Sequence, residues 1–181
     1  MQIWDSHERY GVISRPVHWG MAALMLWQFS GMLSKITLGK DSALTKALSG
    51  NHTEIGTLLL ILIVFRIVWA FLNRNNRPPH EKGLAGLAAK AGHLALYALM
   101  ALVPVTAVIR AWGGEWGYSP FGIQIFAGRE PDQVITTATA IGSNFHGELA
   151  WIMGALILGH IFMALAHHLL ARDGTLKRMA G

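Results

Sequence analysis

The 181-residue chain has no cysteine. That absence excludes disulfides, thiolate-held iron–sulfur clusters and the thioether tether of a c-type haem. Any redox group must then be held by histidine or methionine, with no covalent link to the protein. Charge is scarce as well, since Asp, Glu, Lys and Arg make up 14% of the residues against 52% hydrophobic, with mean hydropathy +0.38. These proportions are those of a membrane protein and leave room for one small bundle. The net charge of +5 does not require a nucleic-acid partner, and none is expected, because membrane proteins collect basic residues in their cytoplasmic loops.

Within four apolar stretches charge almost vanishes. Residues 17–33, 91–109 and 149–170 contain no Asp, Glu, Lys or Arg, and 55–72 contains only Arg66. Each is long enough to cross a hydrocarbon layer of about 30 Å as a helix, which pairs its own backbone donors and acceptors. The expected fold is an all-α membrane protein, a four-transmembrane-helix bundle. It forms a single domain over residues 1–181, with spans near 15–34, 52–72, 91–112 and 145–171. Four spans put both termini on one side. That side carries Arg9, Arg15, Arg74, Arg77, Lys82, Lys90, Arg172, Lys177 and Arg178, and the other carries Lys35, Lys40, Lys46, Arg110 and Arg129. The bias predicts both termini in the cytoplasm. Residues 1–15 are polar and the run after them is too long for a signal-peptide core, so no cleaved leader is expected.

The connections differ in kind. Residues 73–90, with Arg77-Pro78-Pro79, read as a basic turn followed by a short interfacial helix over 83–90. Residues 34–51 are polar, with an amphipathic turn at 43–48. The longest connection, 113–144, is rich in glycine and aromatics and is expected to fold back over the mouth of the bundle. Pro104 should bend the third span. The tryptophans fall near the interfaces, where indole is favoured in any case.

Histidine carries the functional signal. His146 and His160 lie fourteen residues apart, about 21 Å of helical rise and within about 40° in azimuth, so their rings share one helix face at opposite depths. Under the expected topology His52 shares the outer depth with His146, and His18 shares the inner depth with His160. A polar ring inside a span is costly and usually functional. Imidazoles from two helices, with a gap for a flat ring, fit a bis-histidine haem, whose filled axial positions suit electron transfer. Gly20, Ala22, Ala23, Gly56, Gly147, Gly154 and Gly159 would make room for a porphyrin, or simply pack helices. A zinc site is disfavoured because no Asp or Glu falls inside the runs to complete it. His93, at the start of the third run, rivals His18 as the inner ligand.

Arg66 follows His52 by fourteen residues, which puts it on the same face at the inner end. A haem propionate would compensate its charge there. Arg15, one turn before His18, has the same option or reaches to headgroup phosphates. His93, His167 and His168 lie near the inner boundary, where a histidine delivers protons near neutral pH. His7 and His80 read as surface residues.

The motifs Ser14-Arg15-Pro16-Val17-His18-Trp19 and Asn51-His52, the His146-Gly147 and His160 pair, Ala166-His167-His168, and the ending Asp173-Gly174-Thr175-Leu176-Lys177-Arg178-Met179 resemble the bacterial cytochrome b561 family over nearly the whole chain. The resemblance implies two haem b groups ligated by His18, His52, His146 and His160, and residence in the bacterial inner membrane. It further implies oxidation of superoxide outside and reduction of ubiquinone within the membrane. Lys35, Lys40, Lys46, Arg110 and Arg129 would concentrate the superoxide anion. The broader superfamily holds dihaem b anchor subunits of hydrogenases and formate dehydrogenases. A partner redox subunit, exchanging electrons between a dehydrogenase or hydrogenase and the quinone pool, is therefore the alternative reading.

Overall fold

The structure is a computed structural model that describes residues 2–79 and 83–180, so the expectation for His80 lies outside it. The described residues are helical with no strand. The elements are α1 Ser14–Leu38, α2 Ala43–Ser49, α3 His52–Leu72, α4 Gly83–Gly113, α5 Thr136–Ala166 and α6 Thr175–Ala180. Among the described residues three stretches are long and apolar enough to cross a membrane: Ala43–Leu72, Gly83–Gly113 and Thr136–Ala171. At 25 residues α1 is as long as a span needs, but His18, Gln28, Ser30 and Ser34 make it less apolar than the others.

The packing is that of a chain solvated by lipid rather than water. The buried core is small: Met21 and Met25 of α1, Leu59 and Ile63 of α3, Leu99 and Val103 of α4, Ala150 and Met153 of α5. Large apolar residues meanwhile face outward in every long helix, among them Leu26, Ile61, Leu94 and Leu158. Helices apolar on all sides gain little from burying one face against another, so close contact at small residues and polar ties hold them together. Gly154 is one such contact, because a Cβ there would lie 3.0 Å from the Phe29 ring. It packs a helix rather than opening a gap. Gly20, Gly147 and Gly159 have open space where a Cβ would stand.

Two helix starts differ from expectation. The interfacial helix at 83–90 is the opening of α4 itself, since nothing between Lys90 and Ala91 breaks an alanine-rich helical run. Thr136–Asn144, expected as loop, is the first part of α5. Thr139 returns its hydroxyl to the Ile135 and Thr136 carbonyls, so this polar side chain is satisfied within the helix. The remaining connection after Gly113 is irregular. It folds on itself through Tyr118, whose N–H donates to the Phe126 carbonyl at 2.9 Å, and Tyr118 reaches α3 by a 2.6 Å hydrogen bond between its hydroxyl and that of Thr57. α4 runs uninterrupted through Pro104.

Both terminal segments fold onto the end of the bundle that carries His18. Asp5 is 2% exposed; its carboxylate accepts from Gly11 N–H at 2.9 Å, Ser14 hydroxyl at 2.6 Å and Arg77 Nε at 3.1 Å, while its own N–H donates to Asn73. Trp4 stacks on Trp69. Burial in this cluster pushes the Tyr10 phenol above its ordinary range, partly offset by Arg77. At the other terminus, the chain widens into a π-type turn at His167–Ala171 and reverses at Arg172, which adopts a left-handed φ of 52°.

The C-terminal hook is fastened by Asp173, which accepts from Thr175 N–H at 2.8 Å and bonds the His167 ring. These donors hold its carboxyl well below the usual carboxylate range. A lowered carboxyl contributes stability above its unfolded pKa and loses it only as pH falls through the lowered value. Carboxypeptidase release of the last residues should therefore not increase between neutral pH and about pH 4, and should increase in Asp173→Asn across that whole window.

Candidate functional site

Four histidines from three helices meet in two places. His52 opens α3 and faces His146 of α5, with ring centres 6.0 Å apart. His18 of α1 faces His160 of α5 at 6.2 Å. Two imidazole nitrogens each about 2 Å from one metal place the ring centres roughly 6 Å apart, so both spacings suit a shared metal atom. His93 of α4 also touches the second cluster, its ring centre 5.3 Å from that of His160. That is shorter than the spacing of two imidazoles on opposite sides of one metal and ordinary for rings packed edge to face. Among the described residues no group of three or more His, Asp or Glu is arranged to hold a bare metal ion.

The second nitrogen of each ring decides what the first can do. His146 Nδ1 lies 2.9 Å from the Val103 carbonyl, which also accepts from the Thr106 hydroxyl at 2.7 Å. A carbonyl only accepts, so Nδ1 carries the hydrogen and Nε2 presents a lone pair, the tautomer that metal-ligating histidines adopt. His18 is held differently. Its Nδ1 lies 3.0 Å from Arg66 Nη1, and Arg66 Nε donates to the Tyr97 hydroxyl at 2.9 Å. A guanidinium only donates, so His18 Nδ1 accepts. Arg66 thus ties α1, α3 and α4 together beside the second pair.

The His52/His146 pair opens into a cavity of about 780 Å³. Met21, Met25, Met100 and Met153 line its floor, and Thr57, Arg110, Glu115 and Tyr118 line its mouth. Its size is that of a cofactor site. Gln28 donates to the His52 carbonyl at 2.9 Å, yet its Oε1 is buried without a partner. Arg15 Nε, near the other pair, is likewise buried and unpartnered, a position that suits a carboxylate. The chemistry of these donor sets fits haem: imidazoles spaced for a shared iron, a large cavity at the His52/His146 pair with Arg110 on its wall, and Arg66 beside the His18/His160 pair.

The remaining residues singled out from sequence are placed as follows. His167 is half-buried and bonded to Asp173 beyond the end of α5, and His168 is exposed next to it. Neither joins the His18/His160 cluster directly. His7 is exposed. Tyr97, Thr106, the Val103 carbonyl and the cavity position of Arg110 were not anticipated. Tyr97 alone left a trace in the sequence, standing one helical turn after His93 and so on its face.

A bundle of lipid-facing helices that clasp facing imidazoles in their interior defines a membrane cytochrome. Residues 9–181 match the family described as prokaryotic cytochrome b561. The chain is also 32% identical over 188 aligned positions to cytochrome b561 homolog 2 of Escherichia coli strain K12, spanning 100% of this chain and 96% of that relative. The chain belongs to the prokaryotic cytochrome b561 family, whose members bind haem b and transfer electrons in membranes.

Proposed function

We propose that the chain holds two haem b groups, one between His52 and His146 and one between His18 and His160. It would then carry electrons across the bacterial inner membrane from superoxide to ubiquinone. The observation that carries this reading is the pair of imidazole couples, each near 6 Å in spacing and separated by fourteen residues of α5. In this reading residues 1–181 form one domain, α1 is the fourth span, both termini face the cytoplasm and the His52/His146 couple lies at the outer side. When bound, the haems would supply one-electron redox sites at the two histidine pairs, whose α5 members His146 and His160 stand about 21 Å apart by helical rise.

The chain's own residues then have defined tasks. His146 offers Nε2 because Val103 holds its other nitrogen. Neutral His18 carries its hydrogen on Nε2, so ligation there requires Arg66 to turn from Nδ1, and a haem propionate is the acceptor to which it would turn. Arg15 Nε awaits a second carboxylate. Lys35, Lys40, Lys46 and Arg129 give the outer side its positive charge for an anionic substrate. Two superoxide anions surrender one electron each and leave as dioxygen; the quinone takes both electrons and two protons to become quinol. His93, beside His160, is the nearest histidine to pass those protons, with His167 and His168 nearer the aqueous boundary.

Pyridine haemochrome assays on single alanine variants test the ligand set. Loss of one of two haems is expected for each of His18, His52, His146 and His160, and full content for His93→Ala. Superoxide added to the purified chain in detergent should reduce it rapidly and form quinol when ubiquinone is present. A stable iron-cluster subunit that co-purifies, together with no response to superoxide, would replace this reading by that of an anchor subunit.

A further inference from the structure

Among the described residues that line the cavity beside His52 and His146, Arg110 is the one lysine or arginine. By sequence it is an ordinary loop charge at the end of the third span; the structure puts it in the last turn of α4, on the face that handles His146. Val103 and Thr106, which contact the His146 ring, stand seven and four residues before it, so all three share one side of the helix. Gly142 fixes this side against α5, since its missing Cβ makes room for the Arg110 side chain and the Thr106 carbonyl.

Unlike the other arginines near rings or carboxylates, the Arg110 guanidinium makes no hydrogen bond, ion pair or ring contact among the described residues. Arg129 caps the Trp112 carbonyl and lies over its ring, Arg77 pairs with Asp5, and Arg66 has His18 and Tyr97. Glu54 and Glu115 also line the cavity, but neither pairs with Arg110. Arg110 is exposed at the cavity mouth, where its five donors are open to a planar oxyanion.

We infer that Arg110 binds a propionate carboxylate of the haem held by His52 and His146, and so anchors that haem at its open edge. The inference rests on the ligand reading above. A carboxylate on the cofactor and a small anionic substrate share the chemistry Arg110 would recognise, and the first is preferred because the guanidinium belongs to the same cavity wall as the His146 contacts.

The test uses the full chain produced in haem-depleted cells and titrated in detergent with haemin or with haemin dimethyl ester, whose propionates carry no charge. The wild-type outer site should bind haemin more tightly than the ester by about tenfold or more, the range for hydrogen bonds to a charged group. Arg110→Gln should lower haemin affinity to that of the ester and leave ester binding unchanged, while Arg110→Lys restores part of the preference. The His18/His160 haem should be unaffected throughout. Equal haemin binding by wild type and Arg110→Gln would overturn the inference, as would equal losses for both porphyrins, which mark a merely structural role. Intact haemin binding with a slower response to superoxide would overturn it too, assigning Arg110 to the substrate. If His52→Ala or His146→Ala still binds two haemins, it is the ligand reading that fails.

Discussion

Asp5→Ala should lower the stability of the folded chain by about 3 kcal/mol, although Asp5 belongs to none of the helices that carry the histidines. The side chain is fully buried and receives three hydrogen bonds, one of them from Arg77. Removing one partner of a buried ion pair costs about 3–5 kcal/mol because the other charge is left uncompensated. Arg77 keeps 24% of its side chain exposed, so water takes up part of its charge, and the lower end of that range applies. The loss spreads along a chain of contacts. The Ser14 hydroxyl donates to Asp5 and accepts from Trp69 Nε1 at 2.9 Å, and Trp69 stacks under Trp4. Ser14 is also the first residue of α1, one turn before His18. Thermal unfolding in detergent should show a clear fall in midpoint, with proteases cutting within the first thirteen residues of the folded variant. Asp5→Asn, which keeps an acceptor for Gly11 and Ser14, should fall less. An unchanged midpoint in Asp5→Ala would mean that the amino-terminal segment is not integral to the bundle.

How far the sequence announced this arrangement depends on the range of each interaction. The apolar runs and the fourteen-residue spacing of His146 and His160 are local, so the helical class and the sharing of one face by those two rings could be read directly. That His52 meets His146 and His18 meets His160 required only depth arithmetic. Arg66 could be placed at the right depth by its spacing from His52, but nothing local named Tyr97 and His18 as its partners, because those contacts span 31 and 48 residues. The Asp5 cluster was invisible for the same reason, its ties to Asn73 and Arg77 reaching across 68 and 72 residues. The early starts of α4 and α5 escaped because hydropathy marks where a helix is apolar, not where its hydrogen bonding begins. The polar residues 136–144 stay helical at no cost to their backbone, so the composition signal and the helix boundary part company there.

Gly142→Val should empty the His52/His146 site while sparing the other. An ideal Cβ at Gly142 would stand 2.6 Å from the Thr106 carbonyl oxygen and closer still to the Arg110 Cβ. Neither neighbour is the far end of a flexible side chain, so relief must come from the helices moving apart. One turn above in the same crossing, Gly113 presses on Ala138, where a Cβ would come within 2.6 Å of the Ala138 methyl, so the crossing has no slack on that side. His146 follows Gly142 by four residues and reaches α4 through the 2.9 Å bond from Nδ1 to the Val103 carbonyl. A separation on the order of 1 Å takes that bond beyond hydrogen-bonding distance, and the ring then loses both its tautomer and its aim. Overpacking of this kind costs about 1–3 kcal/mol, too little to unfold a bundle held also by α1, α3 and the Asp5 cluster. The variant should therefore remain helical by circular dichroism, contain one haem instead of two by pyridine haemochrome, and keep the spectrum that His146→Ala shows. Two haems in a well-folded Gly142→Val would mean that the α4/α5 crossing does not set the position of His146.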